Sequence, residues 1–333
     1  MKVFLFLVLS IFFLNAKSFE IPPISTKRYH FHINNIDATL PYESNYSINK
    51  TNKKIKRLIL AIHSSNYNAD LYLNNTHKVA TLLHKEKTSL ILAPQFITKS
   101  LLSKKSDFLH WQTYPFLGSS RAIYKGEKVR VSAFEVLDSL INKIIQSKQF
   151  ENLKQVVLLG HSAGAQFVNR YAAYKGSNSY SLPIRYIVMA PSSYLYFDKM
   201  RSKKGYKNKF EIPSVESVKY NKWAFGLEKL YEVHRRNKVD GSKMIENYKS
   251  CEVIYLVGSK DNDPNDATLS KKYGAILQGA HRLQRAKTYY RYLQKFYTKE
   301  IMKKQHFHII KGVGHSSKAL ISSSIAKKYI FLD

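Results

Sequence analysis

The sequence predicts an α/β protein, a mainly parallel β-sheet with helices on both faces. Three observations carry this. Short apolar runs, Leu58 to Ile62, Ser89 to Leu92, Val156 to Leu159, Ile184 to Met189, Val253 to Val257 and Phe307 to Ile310, read as buried strands. Segments of helical spacing separate them, and strands divided by helices pair in parallel. Finally, Gly160-His161-Ser162-Ala163-Gly164 follows the run Gln155 to Leu159 directly. That is a strand, a sharp turn carrying a serine, then a helix.

Taken in chain order, Met1-Lys2 gives a positive start, Val3 to Leu14 is almost wholly apolar, and Ala16-Lys17-Ser18 offers small residues for cleavage after Ser18. Residues 1–18 therefore read as a signal peptide, too short in its apolar core for a membrane span. The mature chain is expected to be exported, periplasmic or secreted, with no transmembrane segment once the signal is removed. Residues 19–54 are polar, and the alternation around Tyr29-His30-Phe31-His32-Ile33 suits an antiparallel edge hairpin. Asp70 is expected to cap a helix running to about His84. Phe134, Val136, Leu137, Leu140, Ile141, Ile144 and Ile145 lie on one face of an amphipathic helix. A further helix covers about His281 to Tyr297, and a C-terminal one Ser317 to Tyr329.

Two stretches, 95–129 and 192–250, exceed ordinary connections. They are rich in aromatic residues: His110, Trp111, Tyr114, Phe116, Tyr194, Tyr196, Phe197, Tyr220, Trp223 and Phe225. The first reads as a long loop and the second as a lid-like insertion, both in a single domain over 19–333. His63, His161, Trp111, Ser192, Tyr194 and Trp223 are candidate pocket residues.

The serine motif is the chemical centre. A nucleophilic serine must stand on a strained turn, clear of the sheet, and glycines two residues either side let strand and helix approach. It needs a base, and the base an orienting acid. Gly258-Ser259-Lys260-Asp261-Asn262-Asp263 follows a strand, so Asp261 is the first candidate acid and Asp263 the alternative. Gly312-Val313-Gly314-His315 follows the last strand and supplies His315 as base. Other histidines fit less well: His306 and His308 alternate along a strand, His281 and His234 lie in helical or lid segments, and His161 is expected to point away from His315. Oxyanion donors are expected at the amides of Ala163, next to the nucleophile, and Ser65, with Ser64 the alternative.

With these residues in hand, the chain resembles the α/β hydrolases over about residues 55–333. It is similar in particular to a poorly characterised subgroup distantly related to esterases and polyhydroxybutyrate depolymerases. Phe134-Glu135-Val136-Leu137-Asp138, the Gly160 to Gln166 segment, Pro191 to Tyr196, Tyr220-Asn221-Lys222-Trp223 with Gly226-Leu227, Asp261 to Asp266 and Gly312 to His315 carry the resemblance. It implies Ser162 as nucleophile, His315 as base and an acid from the Asp261/Asp263 pair; the chemistry expected of that set needs no metal or cofactor. The family carries a His-Gly pair after its early strand, where this chain has His63-Ser64. Serine can present an amide there unless the position needs positive φ.

The expected activity is cleavage of a carboxylic ester, small or polymeric, through an acyl-enzyme. The same set would serve acyl transfer or amide cleavage, and the scaffold could instead be a non-catalytic binding protein. The formal net charge of +31 across 333 residues points to an anionic surface, lipid headgroups or polysaccharide, as a partner. No nucleic-acid module is recognisable, so nucleic acid is not expected as the main partner. The lone Cys251 allows no internal disulfide.

Overall fold

A computed structural model describes residues 22–102, 108–112, 115–214 and 218–332. The expected signal peptide, Tyr114 and the Phe116 side chain lie outside the described residues. The strands are β1 Lys27–Ile33, β2 Ile36–Ser44, β3 Arg57–Ile62, β4 Ser89–Pro94, β5 Arg121–Tyr124, β6 Glu127–Ser132, β7 Gln155–His161, β8 Ile184–Met189, β9 Arg201–Ser202, β10 Phe210–Glu211, β11 Glu252–Gly258 and β12 Gln305–Ile310. The helices are α1 Ala69–Leu82, α2 Ala133–Gln146, α3 Ala163–Lys175, α4 Glu232–Arg236, α5 Gly241–Ser250, α6 Tyr273–Ile276, α7 Arg282–Phe296, α8 Ser317–Ile321 and α9 Ser324–Lys327. Among the described residues no helix is long and apolar enough to cross a membrane.

Eight strands form one sheet in the order β1-β2-β4-β3-β7-β8-β11-β12. From β4 to β12 every pairing is parallel. The central strands are buried on both faces, which is why Leu90 to Ala93 of β4 reads as an unbroken apolar run rather than an alternating one. The antiparallel exception is the expected edge hairpin. β1 and β2 join through Asn34-Asn35, both at positive φ, as a two-residue hairpin turn requires. β12 closes the other edge, where His306 and His308 lean on the Tyr329 ring.

Helix boundaries follow local chemistry. Ser132 and Glu135 form a reciprocal capping box at the start of α2. His281 caps α7 by accepting from the Gln284 amide. Two expectations are corrected. Asn68, not Asp70, caps α1, because its carboxamide reaches the Leu71 amide while Asp70 already lies in the first turn. The C-terminal helix is broken into α8 and α9 followed by a wide turn over Lys328–Leu332. Ser322, Ser323 and Ser324 fall at the break, and the Ser323 hydroxyl caps the Ala326 amide instead of sitting mid-helix.

The long stretches also differ from expectation. Residues 95–129 fold partly into the β5–β6 hairpin, and 192–250 into the tiny β9–β10 hairpin, α4 and α5. Trp111, Tyr194, Tyr196, Phe197 and Trp223 are buried and belong to the main hydrophobic core. These rings thicken the core.

Candidate active site

Each candidate side chain stands where a parallel strand gives way to a loop, on the carboxyl edge of the sheet. At the first of these points β7 ends in His161 and α3 begins at Ala163. Ser162 between them has φ 54° and ψ −114°, a strained conformation for a residue with a side chain. Two backbone bonds hold it there, its own N–H to the Met189 carbonyl at 2.9 Å and the Gln166 N–H to its carbonyl at 3.1 Å. The flanking glycines are sterically required. A Cβ on Gly160 would lie 2.3 Å from the Gly164 carbonyl oxygen, and one on Gly164 would lie 2.3 Å from the Ile62 carbonyl oxygen. The second contact also draws the start of α3 against the His63-Ser64 loop.

The carboxylate and the imidazole come from neighbouring loops pressed together in the same way. A Cβ on Gly258 would sit 2.1 Å from the Val313 carbonyl oxygen. The Lys260 N–H donates to that carbonyl at 2.8 Å, and the Ser259 N–H to the Ile310 carbonyl at 2.9 Å. Across this seam His315 Nδ1 donates to Asp261 Oδ2 at 2.8 Å. With the Nδ1 proton so engaged, a neutral ring carries its lone pair at Nε2. The Asp261 carboxylate is buried, and the His315 ring is 17% exposed. No hydrogen bond joins Ser162 Oγ to His315 among the described residues; such bonds often form only with substrate in place.

Of the two candidate carboxylates, only Asp261 meets His315. Asp263 is exposed, and its Oδ1 accepts from the Asn265 amide at 2.8 Å, an Asx turn. The second oxygen of Asp261 faces the buried Arg282, whose Nη1 lies 3.4 Å away. Arg282 also contacts Asp266 Oδ1 at 3.2 Å and donates to Thr268 Oγ1 at 2.7 Å. Sequence reading missed Arg282. Its signal was a cation in the first turn of α7, the helix end that disfavours positive charge.

The loop after β3 supplies the remaining backbone donors. Neither Ser64 nor Ser65 has positive φ, so the serine that replaces glycine after His63 is unstrained. The amides of Ala163, Ser64 and Ser65 donate to no backbone carbonyl or side chain among the described residues. His63 is fully buried. Its Nδ1 donates to the Ser64 carbonyl at 2.8 Å, and its Nε2 accepts the Phe96 amide at 3.0 Å. It bolts the β3 loop to the β4 loop, and burial pushes its pKa down to about 4.

His161 also departs from expectation. Its ring does not point away from His315 but lies against it, centroids 4.4 Å apart. Burial first, then the nearby His315 and Arg282, drive its pKa well below the ordinary value. A neutral His161 places no positive charge beside the His315 ring. The Tyr72 hydroxyl, 3.4 Å from His161 Nδ1, is a second residue the sequence did not suggest. Burial raises it to about 12, while hydrogen bonding to Ser64 and Ser317 pulls the other way. One phenol thus touches the β3 loop, the serine turn and the segment after His315.

Three pocket candidates are structural. Trp111 Nε1 donates to the Ser120 carbonyl, Trp223 Nε1 donates to the Gly118 carbonyl at 2.6 Å, and Tyr194 stacks on Tyr289 at 4.4 Å. Ser192 is buried too, its Oγ accepting the Ser270 amide at 2.6 Å. A cleft of about 490 Å³ lies elsewhere, on the outer face of β1–β2 beside His30, Asp37, Phe108 and Tyr124. Three strands separate β1 from β7 in the sheet.

No family model matches the chain, and no curated protein matches it either. Among solved structures it is similar to poly(aspartic acid) hydrolase-1 from Sphingomonas sp. KT-1, at 20% identity and a TM-score of 0.61, covering 93% of this chain and 98% of that one. It is also similar to a poly(3-hydroxybutyrate) depolymerase from Bordetella parapertussis, at 17% identity and a TM-score of 0.61, covering 92% of each chain. At such identities the likeness is one of fold. This chain has the α/β-hydrolase fold.

Proposed function

We propose that the protein is an exported serine hydrolase acting on carboxylic esters. The observation that carries the reading is the 2.8 Å bond from His315 Nδ1 to buried Asp261 Oδ2, on the sheet edge that also holds the strained Ser162. His315 Nε2 takes the proton from Ser162 Oγ as the oxygen attacks the acyl carbon. Asp261 holds the ring in the required tautomer and stabilises the imidazolium. The amides of Ala163 and Ser65, or Ser64 in its place, receive the oxyanion. His315 then returns the proton to the leaving alkoxide, and a water deprotonated by His315 releases the acid. The two fold neighbours bear the names of hydrolases of polymers, which supports hydrolysis and admits a polymeric substrate.

A fluorophosphonate probe tests this directly. Stoichiometric labelling of the wild type, lost in Ser162→Ala and in His315→Ala, is the expected result. A folded wild-type protein that takes no label would instead leave a binding protein on a hydrolase scaffold.

A further inference from the structure

Excess positive charge and an exposed aromatic ring meet at the β9–β10 hairpin. Its base is fixed. Arg201 is fully buried, its guanidinium 4.2 Å from the Tyr196 ring centre and donating to Asn221 Oδ1 at 3.1 Å and the Asp198 carbonyl at 2.9 Å. Phe210, on the returning strand, is buried against Tyr292. Between these anchors the chain projects Lys203-Lys204-Gly205-Tyr206-Lys207-Asn208-Lys209, turning at Gly205 with φ +84°. Tyr206 is 56% exposed and Ile212, just beyond the hairpin, 62%. Lys203 Nζ and Lys209 Nζ flank the Tyr206 ring at 5.7 and 5.4 Å, and Lys295 of α7 reaches the Phe210 ring.

The charge at this tip is not neutralised locally. Lys203 pairs with Glu211 at 3.0 Å, but Lys204, Lys207, Lys209 and Lys295 enter no ion pair among the described residues. A projecting tip bearing one exposed tyrosine among lysines matches the boundary of an anionic bilayer. The phenol body is apolar and its hydroxyl wet, and lysine stems reach acidic headgroups while their own carbons stay on apolar surface. A single-stranded nucleic acid would want a groove with successive stacking rings, which a projecting tip does not offer.

We propose that the β9–β10 tip docks this protein on an anionic lipid surface, with Tyr206 at headgroup level and Lys204, Lys207, Lys209 and Lys295 over acidic headgroups. The hairpin contributes none of Ser162, Asp261 or His315, so docking stands whether or not Ser162 turns over.

Partitioning of the purified full chain onto vesicles of phosphatidylcholine, with and without phosphatidylglycerol, tests it. Each lysine near such a surface is worth roughly fivefold in partitioning. The triple variant Lys204→Glu, Lys207→Glu, Lys209→Glu is therefore expected to lose at least ~100-fold on the acidic vesicles. Lys87→Glu, Lys143→Glu, Lys148→Glu makes the same change in net charge at exposed lysines elsewhere, and is expected to lose under about threefold, since screening confines the interaction to ~8 Å. Tyr206→Ala should lose roughly tenfold while leaving the salt dependence unchanged. Equal loss in the two triple variants would mean net charge alone, and would overturn the assignment. So would binding to neutral vesicles as tight as to acidic ones, no vesicle binding at all, or capture by a soluble anionic polysaccharide with vesicle binding indifferent to Tyr206.

Discussion

The carboxyl edge of the sheet and the two long excursions put similar side chains to opposite use. At the edge, Ser162, His315 and the amides of Ala163 and Ser65 are held by backbone contacts so close that Gly160, Gly164 and Gly258 admit no Cβ. Polar atoms there keep unfilled capacity. In the excursions Trp111, Tyr220 and Trp223 turn inward and their polar tips are spent on carbonyls, as Trp223 Nε1 is on Gly118. A ring in a loop can face a ligand or the core, and composition does not say which. A glycine that must be a glycine, beside a serine at φ 54°, marks chemistry more sharply than a cluster of aromatics.

The largest effect expected from this contrast is at the carboxylates. Asp261→Asn should lower kcat for an activated ester by roughly 10³- to 10⁴-fold, because the amide cannot hold His315 in the tautomer that accepts a proton. Asp263→Asn, at an exposed Asx turn, should change it by less than about threefold. Equal losses in steady-state assays would dissolve the distinction between them. Next comes Gly164→Ala. Its methyl would meet the Ile62 carbonyl oxygen at 2.3 Å, so the β3 loop and the start of α3 must part. The expected outcome is a fluorophosphonate labelling rate down ~100-fold, as for loss of an oxyanion donor.

Effects in the excursions should fall on stability instead. Trp223→Ala removes a buried indole and its hydrogen bond, at a cost of about 3–5 kcal/mol in urea unfolding. KM per folded molecule should stay within about twofold, as for a side chain that makes no ground-state contact with substrate. A raised KM without lost stability would show that Trp223 is a pocket wall after all.

The same contrast explains what the sequence made legible. The strands of the parallel sheet, the serine turn, and the loops bearing Asp261 and His315 were readable, because each is set by local pattern: an apolar run, then glycine, then a polar residue. Asp261 against Asp263 was not. Both end the same strand, and only the Arg282 side chain and the seam with Val313 distinguish them. Tyr72 and Arg282 were missed because each acts across loops far apart in sequence. His161 was misjudged because the ring orientation depends on where His315 arrives, which no local pattern encodes.

The finest test compares one histidine from each region. Burial lowers both His63, at the edge, and His234, in the excursion, to about 4, with a backbone hydrogen bond opposing in each case. The unfolded chain, with both near 6.5, binds more protons between those values, so the neutral rings contribute stability that is present above about pH 6.5 and lost as pH falls toward 4. Each ring adds a slope of roughly 1.4 kcal/mol per pH unit, to a total near 3 kcal/mol. His161, also driven down by burial, gives the same background in every variant. His234 packs edge-on against Trp223 and leaves its Nε2 unpartnered among the described residues. His234→Phe should therefore flatten the acid slope of urea stability between pH 6.5 and 4.5 and leave turnover per folded molecule alone. His63→Leu should flatten the slope equally, yet orphan the Phe96 amide and release the Ser64 carbonyl. Because that loop carries Ser65, turnover should fall as well, by roughly tenfold or more. Were both variants to flatten the slope and spare turnover, His63 would be a core histidine like His234, and the β3 loop would not depend on it for its place beside Ser162.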